Sequence, residues 1–291
     1  GGSENNNSAS LIGGEGVTSL WNFAFSGGDG WLNLYGGTNN GMFIDGVGVD
    51  WSAVATNVSW ISVGSGNSGV GCGASVNDAL IVTNKGRLYA SGALTVGNTA
   101  VHPADGKPGT NNAVVVAEGG KMFVAGLTIG SGPSNAVRVV GADSLLSLKG
   151  GNLTFSGGTN NSLTIGPGGV VTNVGTATIG SLNAVNLYGG ILSVATLVNQ
   201  ANAQIGIDLV TPGTIIVQGN AALNGFVCPT NFPRVGRKIC TVVTADTVSG
   251  NLSVGPLPSG YTGTLTTNGA SPTRVNLLVT GPSSSTVLCI Q

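Results

Sequence analysis

The sequence predicts an all-β fold, a parallel β-helix (β-solenoid) of stacked coils, on the strength of three observations. Glycine occupies 51 of the 291 positions, whereas Asp, Glu, Lys and Arg together make up only 7% of the chain. Apolar residues reach 41%, enough for a packed core, and they occur in short runs that alternate polar and apolar positions. These runs recur in the same order along the chain, which is typical of a repeat protein.

The charge pattern argues against several function classes. The 10 Lys+Arg and 11 Asp+Glu residues give a formal net charge of -1 and form no basic cluster, so we expect no nucleic-acid partner. No run of about 18 apolar residues is present, so we expect no membrane-spanning helix. Acids and the single His are too dispersed for most catalytic or metal sites. We therefore expect no enzyme, no cofactor and no metal centre.

Five segments repeat the same order of short strands. Each begins at an asparagine, and successive asparagines are separated by 35, 23, 26 and 22 residues. A glycine-marked turn, a second strand and, in most units, a third strand follow. Three short strands in each unit favour one coil of a parallel β-helix; a β-sandwich is the weaker alternative, since it requires no repeated three-strand order. The five asparagines are Asn77, Asn112, Asn135, Asn161 and Asn183.

Glycine and asparagine are predicted to form the corners of the coils. Glycine supplies the positive φ that a tight corner requires. We expect the repeated asparagine to lie at another corner, to tolerate left-handed backbone and to hydrogen-bond to its equivalent in the next coil. Contacts with sugars are the less favoured alternative for these asparagines. The glycine turns of the five units are at Gly86, Gly119-Gly120, Gly141, Gly168-Gly169 and Gly189-Gly190.

The ends of the chain differ in composition from the repeats. Eight of the fifteen aromatic residues lie in the first 60 positions, and a solenoid needs a cap at its open end, so we expect an aromatic-rich N-terminal cap. A sugar-stacking surface is the alternative, with Trp21, Trp31 and Trp51 as candidate ligand residues. The predicted regions are 1–56, N-terminal tail and cap; 57–200, β-helix repeats; 201–280, terminal coils and an antiparallel C-terminal β cap; and 281–291, a C-terminal tail strand.

Two longer segments, 65–76 and 98–111, each follow the third strand of a unit. Insertions at equivalent points of a solenoid fall on the same flank. That flank holds His102 and Asp105, which we take as a second candidate ligand surface. A plain solvated loop is the alternative, because His102 has no nucleophile or second acid nearby in the sequence.

The four cysteines have no metal-like spacing. Cys228 and Cys240 flank a short Pro-containing stretch, which favours a disulfide over buried thiols. An oxidising, extracellular compartment suits this chain. The sequence begins at Gly1 without an apolar leader, so we interpret it as a mature chain.

The C-terminal segment ends in an apolar strand that is predicted to join a neighbouring copy. Such a strand would extend the edge of another solenoid. The residues of this predicted inter-subunit contact are Val287, Leu288, Cys289 and Ile290, with the partner subunit's Cys72 opposite Cys289.

The repeated Leu-Thr-Ile-Gly strands, followed by Val-Gly, Val-Val-Thr-Ala, Val-Ser-Gly and Leu-Pro-Ser-Gly between 235 and 260, resemble bacterial secreted and surface β-helix proteins with autotransporter-passenger-like repeats. The resemblance covers roughly residues 57–280. It implies a right-handed β-helix at the cell surface that serves display, adhesion or self-association.

Two functions follow as hypotheses, and a third is less favoured. The first is a structural extracellular protein that assembles with itself, head to tail, into a surface filament or sheath. The second is a surface adhesin or carbohydrate-binding passenger domain whose partners are cell-surface glycans. A polysaccharide-cleaving enzyme is least favoured, because the eleven acids show no grouping in the sequence.

Overall fold

A computed structural model describes residues 6–15, 18–22, 31–35, 38–65, 75–97, 108–232, 236–269 and 271–282. Every regular element in these ranges is a β-strand. The chain winds around three faces, and nearly every coil adds one strand to each face, parallel to the strand of the coil before it. The predicted all-β solenoid of stacked parallel strands is therefore confirmed.

The first face is a 10-stranded sheet that runs the length of the described solenoid. In spatial order its strands are β1 (Ser8–Ile12), β4 (Gly41–Asp45), β7 (Ala79–Thr83), β10 (Ala113–Ala117), β13 (Ala136–Val140), β16 (Ser162–Ile165), β18 (Ala184–Leu187), β20 (Gln204–Asp208), β23 (Gly225–Thr230) and β26 (Leu252–Val254).

The second and third faces belong to one 18-stranded sheet, because two long strands bend from one face to the other. The second face contains β2 (Ser19–Asn22), β5 (Ala53–Val58), β8 (Arg87–Ala90), β11 (Lys121–Phe123), β14 (Leu145–Ser147), the first halves of β17 (Val170–Ile179) and β19 (Ile191–Asn199), then β21 (Thr214–Val217), β24 (Arg237–Ala245), β27 (Thr262–Thr267) and β28 (Thr273–Thr280). The third face contains β3 (Trp31–Tyr35), β6 (Trp60–Ser65), β9 (Leu94–Val96), β12 (Leu127–Ile129), β15 (Leu153–Phe155), the second halves of β17 and β19, β22 (Asn220–Leu223) and β25 (Thr247–Ser249).

The core lies inside the coils and follows from the period-2 alternation of each strand. In β7, β10 and β13 every second residue is buried. The buried residues of β7 are Leu80 and Val82, and those of β10 and β13 are their register partners. Burial of these aliphatic side chains stabilises the fold by about 25 cal/mol per Å² of apolar surface. No single coil can enclose them, so each coil depends on its neighbours.

A ladder of polar side chains crosses one corner of the coils, just before the first face; we call it the asparagine ladder. In each coil the backbone N–H of the ladder residue donates to the side-chain Oδ1 of the ladder residue one coil further on, over distances of 2.8–3.3 Å. The predicted hydrogen bonding between equivalent residues is confirmed. The ladder residues are Asn7, Asn40, Asp78, Asn112, Asn135, Asn161 and Asn183.

The left-handed backbone at this corner belongs to the residue before each ladder position, not to the ladder residue. Those preceding residues have φ between 55° and 62°. The register shows that Asp78, not Asn77, is the equivalent of Asn112, since Ala79 pairs with Ala113. The alignment of the first repeat at Asn77 was therefore wrong by one residue.

Asp78 is the acidic member of the ladder. It is fully buried, and its Oδ1 accepts the backbone N–H of Asn40 at 2.8 Å, while the hydroxyl of Ser75 donates to its Oδ2. Burial raises the pKa of Asp78 above its usual value, and the bonds from Ser75 and Asn40 oppose that shift. The ladder therefore contains one position whose charge depends on pH.

The glycine-marked corners carry the positive φ that the sequence predicts in four of the five units. Gly119 has φ of +77°. The next residue, Gly120, approaches the neighbouring coil so closely that a Cβ there would lie 2.3 Å from the carbonyl oxygen of Val82. The two glycines thus have different roles, one conformational and one steric. In the first unit Asn84 and Lys85 adopt positive φ instead, ahead of Gly86.

Parallel stacking begins before the predicted boundary at residue 57. Strand β1 pairs with β4 in parallel, and β4 pairs with β7 in the same register as the later coils. The described residues between 8 and 56 thus include strands that stack in parallel on the later coils. At the other end, β28 pairs antiparallel with both β24 and β27.

Candidate functional site

The described side chains that combine stacked rings with an ion pair lie together on the outside of the second face. We call Asp50, Trp51, Arg87, Tyr89 and Phe123 the aromatic patch. Three successive coils contribute to it: the turn before β5, strand β8 and strand β11. The patch therefore exists only when these coils are stacked.

Strand alternation places one half of the patch. In β8 the side chain of Leu88 points into the core, so Arg87 and Tyr89 point outward. In β11 the same alternation turns Phe123 outward, and the register sets it directly beside Tyr89. The two rings stack with their centroids 4.8 Å apart and their planes only 2° from parallel.

The other half of the patch comes from the turn over residues 46–52. Trp51 has φ of +65°, a left-handed conformation that is rare for a bulky side chain and costs roughly 1–2 kcal/mol. The buried hydroxyl of Ser52 holds the turn, donating to the carbonyl oxygens of Gly46 at 2.6 Å and Val49 at 2.8 Å. Strained residues of this kind often occur at functional sites. Here the strained residue presents an indole that is 52% exposed.

Arg87 connects the two halves. Its Cζ lies 3.9 Å from the centroid of the Trp51 ring, within the range of a cation–π interaction. Its Nη2 pairs with Asp50 Oδ1 at 2.8 Å, and its Nη1 donates to the Tyr89 hydroxyl at 3.3 Å. Trp51 and Tyr89 are nearly parallel, with centroids 6.1 Å apart. The guanidinium thus fixes the orientation of the indole and of the neighbouring phenol.

The electrostatics of the patch follow from the burial of Arg87, whose side chain is only 9% exposed, against 50% for Asp50. The hydrogen bond from Arg87 lowers the pKa of Asp50. Burial alone would lower the pKa of Arg87, but the bonds to Tyr89 and Asp50 outweigh it and raise that pKa. The pair therefore stays ionised at neutral pH. The Nε of Arg87 is buried without a hydrogen-bond acceptor among the described residues.

The structure places the candidate ligand residues predicted from the sequence in different environments, and some of them lie outside the described residues. Trp51 lies in the aromatic patch, whereas Trp21 is half-buried and packs against the core. The side chain of Trp31 lies outside the described part of the structure, as do His102 and Asp105. The predicted inter-subunit residues Cys72, Val287, Leu288, Cys289 and Ile290 are also outside the described residues.

The disulfide predicted between Cys228 and Cys240 is not present, and both are free thiols. Cys228 lies on β23 of the first face, next to the inward-pointing Val227, so it points outward; Cys240 is buried on β24 of the second face. The two thiols therefore lie on different sheets, that of Cys228 on the outer surface and that of Cys240 in the core. Burial raises the pKa of each thiol, which lowers its reactivity.

Four residues of the aromatic patch were missed in the sequence analysis: Asp50, Arg87, Tyr89 and Phe123. One signal for them was present. The second strands of two successive units, Arg-Leu-Tyr-Ala and Lys-Met-Phe-Val-Ala, carry an aromatic residue at the same position after a cation. Aligning these strands places two rings side by side on the outer surface, although nothing in the sequence adds Trp51 to them.

Among the described residues, no group of three or more His, Cys, Asp and Glu side chains is arranged to hold a metal ion. The described ranges likewise contain no helix with the length and apolar character needed to cross a membrane.

Comparisons with known proteins give little further information. No family model matches the chain, and no curated protein matches it. Among solved structures, the chain is similar to a fragment of TibA that was hyper-glycosylated by TibC. That similarity covers 86% of this chain and 98% of the fragment, at 11% sequence identity and a TM-score of 0.23. A score this low supports no argument about fold or function.

Proposed function

We propose that this chain is a secreted or cell-surface, right-handed β-solenoid, capped at its ends, that binds glycans through the aromatic patch. The role is one of binding, as in an adhesin or a carbohydrate-binding passenger domain, rather than of catalysis. The observation that carries the proposal is an exposed, strained tryptophan, Trp51, held in place by a buried arginine and continued by two stacked rings.

The chemistry of the patch suits a saccharide. Ring faces and edges offer a flat apolar contact to the C–H groups of a pyranose, while Asp50 and the Tyr89 hydroxyl offer polar groups to its hydroxyls. Ligand sites commonly combine an aromatic lining with a few fixed polar groups. Because Arg87 fixes Trp51 before any ligand arrives, binding would lose little side-chain entropy.

Replacing Trp51 tests this function. We expect the wild-type chain to bind a subset of sugars on a glycan array, and Trp51→Ala to weaken the affinity for those sugars about tenfold, the effect of one lost aromatic stack. The fold should be retained, because the indole is half-exposed and surface changes rarely exceed about 0.5 kcal/mol.

Ile191→Ala is the matched control. Ile191 lies on the outside of the same face, in the row that continues from Leu145 through Val170, and it too is exposed. This variant should bind like the wild type. If Trp51→Ala binds as tightly as Ile191→Ala does, or if the wild-type chain binds no glycan, the proposal fails.

A second candidate function, head-to-tail self-assembly, is favoured by the edge strand β1. Among the described residues β1 pairs with β4 and has no neighbour on its other side. The carbonyl oxygen of Asn7 accepts the N–H of Gly41, and the N–H of Gly13 donates to the carbonyl oxygen of Asp45. Because backbone groups of a parallel strand point to alternate sides, the N–H of Ser10 points away from β4. An open edge of this kind can add a strand from another copy.

Proline at position 10 tests this assembly. Ser10→Pro removes the outward N–H while leaving the bonds between β1 and β4 in place, so filaments that grow at this edge should be lost. Ser10→Ala is the control and should assemble like the wild type. Electron microscopy and light scattering of the concentrated chain give the result. Equal assembly by both variants, or a wild-type chain that stays monomeric, would contradict this candidate.

A further inference from the structure

The aromatic patch has a cationic border that the proposed function does not use. Lys121 is the register partner of Arg87 on β11, so its side chain leaves the same outer surface one coil further on. It also lies two residues before Phe123 on one strand, which places both side chains on the same side of that strand. A ligand that contacts the rings therefore comes within reach of this ammonium group.

Among the described residues Lys121 has no acid within 4.0 Å, although its charge helps to lower the pKa of Asp50 from a greater distance. The single ion pair within 4.0 Å among them joins Arg87 to Asp50, so the carboxylate of the patch is already occupied. Glu118, in the turn before β11, accepts a hydrogen bond from the Thr83 hydroxyl at 3.4 Å, at the end of the first face. Lys85, in the turn before β8, likewise has no acid within that distance.

A further cation, Lys149, lies on the opposite side of the stacked rings from Lys121. The side chain of Lys149 crosses back over two coils, and its Nζ donates to the backbone carbonyl oxygen of Ala90 at 2.7 Å. Ala90 directly follows Tyr89 on β8. A carbonyl oxygen satisfies the ammonium as a hydrogen-bond donor but does not neutralise its charge. The stacked rings thus have an ammonium group on each side, and neither group forms an ion pair within 4.0 Å among the described residues.

We infer that the glycan bound at the aromatic patch is anionic, with a carboxylate that pairs with Lys121 while its sugar ring contacts the aromatic residues. This inference rests on the proposed function. The charge complementarity selects among sugars rather than creating the site, because the rings would contact a neutral pyranose equally well. Lys121 then acts as a specificity-determining residue, and Lys149 adds a longer-range attraction.

Two forms of one saccharide separate this inference from the proposed function. The first is a hyaluronan hexasaccharide, which carries a carboxylate on every second sugar, and the second is the same hexasaccharide after reduction of its carboxylates to primary alcohols. Calorimetric titration of the full chain with each form gives the affinities. We expect the anionic form to bind about threefold to fivefold more tightly, the factor of one partly exposed ion pair. The preference should shrink as salt is added.

Variants of Lys121 identify the source of the preference. Lys121→Gln should abolish it while retaining the affinity for the reduced form, and Lys121→Arg should restore it. Lys238→Gln, a change on β24 far along the solenoid, is the control and should bind like the wild type. Equal binding of the two forms by the wild-type chain would overturn the inference but not the glycan-binding function. Absence of binding to both forms would also overturn the inference, while the glycan array decides separately whether the chain binds sugars at all.

Discussion

The asparagine ladder crosses the three coils of the aromatic patch and continues beyond them, and the two regions depend on the repeat in opposite ways. In the ladder an asparagine, or Asp78 in one coil, returns at the same corner, so that every coil makes the same bond to the next. In the patch three neighbouring coils each supply a different group: a strained tryptophan, an arginine with a tyrosine, and a phenylalanine. The ladder uses the periodicity of the fold, whereas the patch uses only the adjacency that stacking creates.

The two regions also differ in where polar groups meet water. Ladder side chains such as Asn112 and Asn135 are fully buried, so each missing hydrogen bond carries a desolvation penalty of about 1–3 kcal/mol. In the patch, Asp50 and Trp51 remain half-exposed, and solvent can replace a lost contact. We therefore expect changes in the ladder to alter stability and changes in the patch to alter binding.

Asn135→Asp should have the largest effect on stability. The Oδ1 of Asn135 accepts the backbone N–H of Asn112 at 3.1 Å, and its Nδ2 donates to the carbonyl oxygens of Gly132 at 2.9 Å and Gly109 at 3.0 Å. A carboxylate would point an oxygen at those two carbonyl oxygens, in a fully buried site. We expect a loss of about 3–5 kcal/mol in the free energy of unfolding at pH 7, measured by chemical denaturation.

Asn186→Asp is the control for this change. Asn186 lies half-buried on the outer side of β18, and its Nδ2 makes one long bond, 3.4 Å, to the Thr164 hydroxyl. The same substitution there should cost no more than about 0.5 kcal/mol. If both variants lose the same stability, the burial of the ladder has no special energetic role and the comparison between the two regions fails.

The periodicity of the sequence was sufficient to predict the coils and the bonding of the repeated asparagines, because both repeat with the chain. It failed where one coil departs from the pattern. Asn77 was aligned as the first ladder residue because it is an asparagine, whereas the fold uses the acid that follows it. The coils before residue 57 are harder to recognise for a related reason: their corner has Val47 and Trp51 at positive φ as well as Gly48.

The aromatic patch could be predicted only in part. Trp51 was singled out as a member of an aromatic-rich region, but its contact with Arg87, 36 positions later, depends on how three coils stack. Local patterns cannot show such a contact, since the spacing between these early coils is irregular. The disulfide failed for a similar reason. Cys228 and Cys240 are near in sequence, but a corner of the solenoid lies between them, and their strands present opposite sides.

Asp78→Asn should produce a smaller effect, of opposite sign to that of Asn135→Asp. The pKa of Asp78 is raised by burial, so ionisation at neutral pH destabilises the folded chain relative to the unfolded one. An amide removes that cost, and its Nδ2 can donate to the Ser75 hydroxyl, which accepts as well as donates. We expect the variant to be more stable by about 1 kcal/mol at pH 7.

The pH dependence separates this explanation from a simple gain in packing. A raised folded-state pKa means that the wild-type chain is relatively most stable below the unfolded value, 3.8, where Asp78 is protonated in both states, and that this advantage is lost as the pH rises through the folded-state pKa. The difference between Asp78→Asn and wild type should therefore appear at pH 7 and diminish towards pH 3.8. A difference that is constant between these pH values would show that Asp78 has the same pKa in the folded and unfolded states, and the explanation by burial of the charge would then be wrong.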